Sequence, residues 1–109
     1  MAINNTYKTV TSTIDAAEKT IYTAPTGFTS IILLAQISNV TSNAGTVTFS
    51  HVKGSVKTEL VKNYSIPGND AASPISGKLI LESGQKINVS ANSNGVMKIT
   101  LSILESSNE

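Results

Sequence analysis

The chain has 109 residues, a length typical of one domain, and a net charge of +1 from eight lysines and seven acidic residues, with no arginine. The lysines are scattered, which argues against nucleic-acid binding, because that function concentrates positive charge and uses the arginine fork to read guanine. The absence of cysteine excludes disulfides, thiolate nucleophiles and the usual cysteine-containing zinc sites.

The first half of the sequence predicts three strands. Residues 7–13 alternate and predict a weak strand at a sheet edge, and residues 19–24 predict a second strand. The turn at residues 25–27 follows, because its proline and glycine suit successive turn positions. Residues 28–40 predict the central strand. Since residues 31–35 are apolar on both faces, we expect burial on both sides or a subunit contact there.

The middle of the sequence predicts a hairpin and then a long loop. Residues 46–52 alternate and place Val47, Phe49 and His51 on one face. A turn at Gly54 leads to a strand over residues 56–66, and residues 67–76 form the longest loop.

The last third predicts three further strands. Residues 77–81 and 86–91 flank a turn, and Asn94-Gly95 is a strong hairpin signal because type I′ turns need positive φ at both central positions. The final strand places four apolar side chains inside, namely Met97, Ile99, Leu101 and Ile103.

Seven or eight short strands predict an all-β, single-domain antiparallel β-sandwich of jelly-roll or immunoglobulin-like topology, between which the sequence does not decide. We assign residues 21–105 to the sandwich and residues 1–20 to an N-terminal arm or weak edge strand. Residues 106–109 are expected to be a frayed tail, and Glu105, the last residue of the sandwich, is expected to fray together with them.

Few residues offer chemistry. His51 is the single histidine, and packing at the sheet margin is the alternative to a role as general base or metal ligand. We interpret the acidic residues as solvated charges. Asn69 and Asp70 offer oxygen donors in the long loop, but calcium needs six to eight oxygens and usually several carboxylates, which favours an Asx turn. We therefore predict no enzyme, no metal site and no cofactor.

Three short motifs between residues 21 and 105 resemble small virion structural proteins of tailed bacteriophages. They are Tyr22-Thr23-x-Pro25-x-Gly27, the strand end Asn39-Val40-Thr41, and Leu79-x-Leu81-Glu82-x-Gly84-x-Lys86. The resemblance implies a small β-sandwich present in many copies on a particle, as a capsid decoration protein or as part of the neck, tail or fibres. It implies no catalytic residues.

On this basis we expect a capsid decoration, or cement, protein that stabilises the head by protein–protein contacts. It would bind itself as a homo-oligomer, for example a trimer, and bind a major capsid or tail protein. No apolar run approaches the roughly 20 residues of a membrane span, and the N-terminus lacks the layout of a secretion signal. We therefore expect synthesis in the host cytoplasm, localisation to the virion and no membrane partner.

A receptor- or glycan-binding module is the alternative function. Its candidate surface combines the loop at residues 67–76 with the hairpin at residues 92–95. For protein contacts in general, the candidate residues are Ile31, Leu33, Pro67, Asn69, Asp70 and Asn94.

Overall fold

The computed structural model describes residues 5–107, which form nine strands and no helix. The strands are β1 (Asn5–Ile14), β2 (Lys19–Thr23), β3 (Phe28–Asn39), β4 (Gly45–Lys53), β5 (Val56–Ile66), β6 (Ala71–Ala72), β7 (Leu79–Leu81), β8 (Lys86–Ala91) and β9 (Met97–Ser107). The chain is therefore all-β, as the abundance of β-branched residues and turn residues predicts.

The strands form two antiparallel sheets. The first sheet has the order β1-β9-β3-β6, and β7 also pairs with β3. The second sheet has the order β2-β8-β4-β5. Strand β6 pairs with Ile37 and Ser38 of β3, whereas β7 pairs with residues 30–32 of the same strand. The two short strands thus share one position in the first sheet, and the sandwich has eight strand positions.

The pairing of the strands is nested. Strand β1 pairs with β9, β2 with β8, β3 with β6 and β7, and β4 with β5. This is one long antiparallel hairpin, with its tip between β4 and β5, rolled so that its strands alternate between the two sheets. The fold is a jelly roll, and the immunoglobulin-like alternative is excluded by this strand order.

The core lies between the two sheets and consists almost entirely of aliphatic side chains. Its members are Ile14, Tyr22, Ala24, Ile32, Ala35, Ile37, Val47, Phe49, Ile66, Leu81, Ile87, Val89, Met97, Ile99, Leu101 and Ile103. The four apolar side chains of β9 that alternation placed inside are all buried, which confirms that prediction. Phe49 is the largest fully buried side chain.

The sheets extend beyond the predicted limits of the sandwich. Strand β1 is an edge strand of the first sheet, so the sandwich begins before residue 21. Strand β9 continues to Ser107, which pairs with Phe28, and Ser106 pairs with Asn5. These two serines were expected to fray, yet they are held because β9 has a neighbour on each side. The remaining tail residues, 108–109, lie outside the described part of the chain, as do residues 1–4.

Candidate protein-interaction surface

The outer face of the first sheet is defined by a β-bulge in β3. The pairing of β3 with β9 shifts register between Ile32 and Leu34, so Leu33 is the extra residue. Ile32 and Ala35 are buried in the core, whereas Ile31 and Leu33 are half-buried and Leu34 is exposed. A bulge inserts one extra residue, while the residues before and after it keep their inward or outward direction relative to the partner strand. The extra residue interrupts the simple alternation, which explains why residues 31–35 look apolar on both faces.

Four apolar side chains cross this outer face in one row, called here the apolar row. Tyr7 pairs with Leu104, Leu104 pairs with Ile31, and Ile31 pairs with Ile80, so the row spans β1, β9, β3 and β7. Paired residues of antiparallel strands project from the same side of the sheet. Tyr7 is 77% exposed and Ile80 57% exposed. No described part of the chain covers the row.

The rest of this face carries mainly hydroxyl side chains. Beyond the apolar row, successive rows contain Thr9, Ser102 and Leu34, then Thr11, Thr100 and Gln36, then Thr13, Lys98 and Ser38. A shallow hollow of about 540 Å³ lies over the last two rows and is lined by residues that include Thr11, Thr13 and Thr100. The outer face thus has an apolar part and a hydroxyl-rich part.

Charged groups are concentrated on other surfaces. On the second sheet, Lys57 Nζ lies 2.8 Å from Glu18 Oε1, and the Asn88 amide donates to Glu18 Oε2. Hydrogen bonds from Lys57 and then Asn88 lower the pKa of Glu18, and the hydrogen bond to Glu18 raises the pKa of Lys57. Lys98, by contrast, is the one charged residue among those that strand pairing places on the outer face of the first sheet. The two faces of the sandwich therefore differ sharply in charge.

Loops gather at the end of the sandwich that lies farther from the apolar row. The amide of Asn69 donates to the carbonyl of Thr41, and the amide of Val40 donates to the carbonyl of Val96. The loop containing residues 67–70 and the hairpin at residues 92–95 therefore lie at the same end, on either side of the loop at residues 40–44. This end is called the four-loop end, because residues 15–18 also join it through the hydrogen bond from the Ala16 amide to Asn94 Oδ1.

The six candidate contact residues divide between two surfaces. Pro67, Asn69, Asp70 and Asn94 lie at the four-loop end, whereas Ile31 and Leu33 lie on the outer face of the first sheet. The polar groups of the first set bind the chain itself: Asp70 Oδ1, for example, accepts a hydrogen bond from the Ala71 amide at 2.8 Å.

Asn39 organises the four-loop end from inside the protein. Its Nδ2 donates to the carbonyls of Asn43 (2.8 Å) and Ile66 (3.0 Å), and its Oδ1 accepts from the amide and the hydroxyl of Thr41. Asn39 is 3% exposed. This residue therefore connects the end of β3 to the following loop and to the end of β5, which explains the Asn-Val-Thr motif physically.

A second buried polar cluster joins the two sheets. Tyr22 on β2 donates its hydroxyl hydrogen to Glu105 on β9, with 2.5 Å between the oxygens, and lies 2.7 Å from the hydroxyl of Ser30 on β3. Lys8 on β1 adds an ion pair to Glu105 at 3.3 Å. Glu105 is only 6% exposed. The interpretation of Glu105 as a solvated charge at a frayed end was therefore wrong, although the alternation of β9, continued by two residues, would have placed it inside.

Tyr22 should make stability fall at high pH. Burial first, and then the hydrogen bond to Glu105, raise the pKa of Tyr22 to about 12 from 10.0. The folded state therefore holds the phenolic proton more tightly than the unfolded chain does. The resulting contribution of about 2–3 kcal/mol is complete below about pH 10 and is lost as the pH rises through about 12.

The variant Tyr22→Phe should lack this part of the decrease in stability at high pH. The free energy of unfolding is measured by urea titration between pH 8 and pH 12. Tyr64→Phe is the matched control, since Tyr64 is partly exposed on β5. An equal decrease in the free energy of unfolding at high pH in wild type and Tyr22→Phe would show that Tyr22 does not cause it.

His51 lies where its alternation with Val47 and Phe49 predicts. It pairs with the buried Ile87 and is half-buried near the end of β4. Its Nε2 lies 2.8 Å from Oε1 of Gln85, which also accepts from the amide of Glu82. His51 thus ties β4 to the turn between β7 and β8, in agreement with the packing interpretation. Among residues 5–107, no group of three His, Cys, Asp or Glu side chains is placed to hold a metal ion.

None of the described residues forms a helix long and apolar enough to cross a membrane.

Comparisons with known proteins find similarity at the level of structure. No protein-family model and no curated protein matches the chain. Among solved structures, a chain from the disulfide-linked pili that form Bacillus endospore appendages is similar, with a TM-score of 0.58 and 14% identity, over 96% of this chain and 87% of that one. A chain from the viral particle of infectious bursal disease virus (IBDV) gives a TM-score of 0.54 and 7% identity, over 94% of this chain and 31% of that one.

The present chain therefore spans about a third of the viral chain. A pentameric capsid protein from metagenomic phage sequences gives a TM-score of 0.48 and 14% identity, over 92% of this chain and 62% of that one, and is too distant to support an argument. At these identities the similarity establishes a shared fold and nothing further.

Proposed function

We propose that this protein is a structural component of a bacteriophage virion and acts as a capsid decoration protein that stabilises the head by protein–protein contacts. The outer face of the first sheet is the observation that carries this function. It presents an uncovered apolar row and a hydroxyl-rich part, with Lys98 as the one charge among its paired strand residues. The centres of protein–protein interfaces are similarly poor in charged residues and rich in aromatic and apolar ones.

The remaining features support the same function. A shell component needs a rigid fold and complementary surfaces, and it needs no reactive groups. The jelly roll recurs in viral capsid domains, and two of the similar structures, with TM-scores of 0.58 and 0.54, are described as pili and as a viral particle. The three motifs that resemble those of small virion proteins of tailed phages support the same setting. The protein would be made in the host cytoplasm and incorporated into the particle.

A receptor- or glycan-binding role is the second candidate, and it is supported by residues 67–70 and the hairpin at residues 92–95 lying at one end. Sugar sites usually contain an aromatic ring, however, and neither residues 67–76 nor residues 92–95 include one. A glycan array probed with the whole chain distinguishes this role: binding that is lost in Asn94→Ala would favour it over decoration.

The decoration role is tested by the copy number of the chain in purified phage particles. Quantitative mass spectrometry against the major coat protein should give a ratio near one. A ratio far below one, but above zero, would place the protein in the neck, tail or fibres instead. Absence from the particles would overturn the virion function altogether.

A further inference from the structure

We propose that the outer face of the first sheet binds the same face of a second copy of this chain. The two copies are related by a two-fold axis that lies between their facing first sheets and runs parallel to the strands. This inference names a partner for the surface that carries the proposed function, and it rests on that function only for its setting in a particle. In this arrangement, Leu104 of each copy lies over Ile31 of the partner subunit, and Tyr7 lies over Ile80 of the partner subunit.

The apolar row is the energetic reason for association. Leu104 and Ile31 form its half-buried centre, and the more exposed Tyr7 and Ile80 form its ends. Adjacent strands lie about 4.8 Å apart, so the row extends for about 14 Å across four strands. Leu34 enlarges the apolar area on one side of the row. Two such rows stacked at the spacing of packed sheets, about 10 Å, would exclude water from both.

The distribution of charge favours a second copy as the occupant. A two-fold interface brings together two copies of one surface, so a face with charges mainly of one sign meets the same sign on its partner, and a self-binding face should therefore carry few charges. Among the residues that strand pairing places on this face, only Lys98 is charged, and it lies in the row farthest from the apolar row. Lys8, on the neighbouring strand, points inward to Glu105. Lys98 would lie at the rim, where its ammonium group reaches solvent.

The hydroxyl-rich part of the face can also bind the same part of a second copy. Threonine and serine hydroxyl groups each donate and accept hydrogen bonds, so two identical hydroxyl surfaces can pair without a specific complement. Thr11, Thr100 and Ser102 provide such groups along β1 and β9.

The size of the face determines the orientation of the axis. Strands β1, β9 and β3 have 10, 11 and 12 residues, and β6 and β7 add only two and three beside β3, so the face covers roughly 500–600 Å² in projection. Stable complexes bury about 800 Å² of accessible surface on each partner. Nearly the whole face must therefore be covered. A two-fold axis parallel to the strands achieves this while keeping the apolar row against the apolar row.

Sedimentation analysis of the full chain over a range of concentrations tests the interface. The wild type should form a dimer, and Ile80→Lys should raise its dissociation constant about tenfold or more, because a buried anchor is replaced by a charge at the interface. Tyr7→Lys, at the other end of the row, should act in the same direction. Val56→Lys is the matched control: Val56 is 63% exposed but belongs to β5 of the second sheet.

A cysteine experiment tests the two-fold arrangement itself, because the chain has no cysteine of its own. The single variants Leu104→Cys and Ile31→Cys are purified separately, mixed and treated with a short bifunctional thiol cross-linker, because facing sheets about 10 Å apart exceed the reach of a disulfide. A mixed cross-linked dimer in excess over either homodimer supports the arrangement. A wild-type dimer without that excess overturns it.

Other outcomes separate this inference from the proposed function. A chain that is monomeric at the highest concentration but present on phage particles, and lost from them in Ile80→Lys, overturns the inference and assigns the face to a coat protein. A chain that forms the dimer but is absent from phage particles supports the proposed interface and contradicts the virion function. A three-chain mass, or a dimer weakened only by Val56→Lys, also overturns the inference.

Discussion

Phe49→Ala is expected to lower the free energy of unfolding by about 3–5 kcal/mol, the range for removal of a buried phenylalanine from a core. Phe49 is fully buried, and it faces the first sheet from the middle of β4, where it pairs with Val89. Its neighbours are strands held by ladders on both sides, so they can collapse only partly into the space that the ring leaves. Since a domain of this length has a net stability of about 5–15 kcal/mol, the loss would be a large part of the total.

Equilibrium unfolding in urea measures this effect, and Phe28→Ala is the control. Phe28 is the other phenylalanine and is only half-buried, at the start of β3. A loss in Phe49→Ala no larger than that in Phe28→Ala would show that the core is not centred on Phe49.

Asn39→Ala should cost about 2–4 kcal/mol, although it removes only a small polar side chain. The substitution deprives the buried carbonyl of Ile66 and the amide of Thr41 of their hydrogen-bond partner. A buried polar group left without a partner costs about 1–3 kcal/mol. The effect should be concentrated at the four-loop end, so the Thr41 amide should exchange with solvent faster in the variant.

Asn43→Ala provides the matched control for this prediction. Asn43 contributes its backbone carbonyl to the same cluster, which alanine retains, and its side chain is exposed. Unfolding in urea and hydrogen exchange together measure both variants. Equal destabilisation by the two substitutions would contradict the central role of Asn39.

Several elements could be predicted from the sequence because short-range chemistry defines them. The alternation of Met97, Ile99, Leu101 and Ile103 requires an inner face on a strand, and the structure buries all four. The turn residues also divide the chain close to the observed strand ends: Gly27, Gly54, Gly84 and Gly95 all have positive φ. Glycine adopts this conformation without steric cost, so these positions can be recognised locally.

Only part of the candidate surface could be predicted from the sequence in the same way. Ile31 and Leu33 are conspicuous because they lie in the longest apolar run, whereas Tyr7, Ile80 and Leu104 come from three other strands and have no common local signal. They meet because the registers of β1, β9, β3 and β7 align them. Register is a long-range property, set by which strands become neighbours after the hairpin rolls up.

Other features depend on contacts between distant segments in the same way. A Cβ atom on Gly68 would lie 2.3 Å from the carbonyl oxygen of Ser42, so the long loop needs glycine there because of its neighbour and not because of its own φ. Glu105 lies on the inner face by the alternation of β9, but its partners Tyr22 and Lys8 come from other strands.

By itself, the sequence determined the class of fold, the approximate limits of most strands and the inner faces, because these depend on side-chain alternation and on turn chemistry within a few residues. The choice of a jelly roll, the bulge at Leu33, the polar clusters around Asn39 and Glu105 and the alignment of the apolar row were decided only by the tertiary structure. The physical reason is that each of them depends on pairings between residues far apart in the chain, and such pairings leave no periodic trace in any one segment.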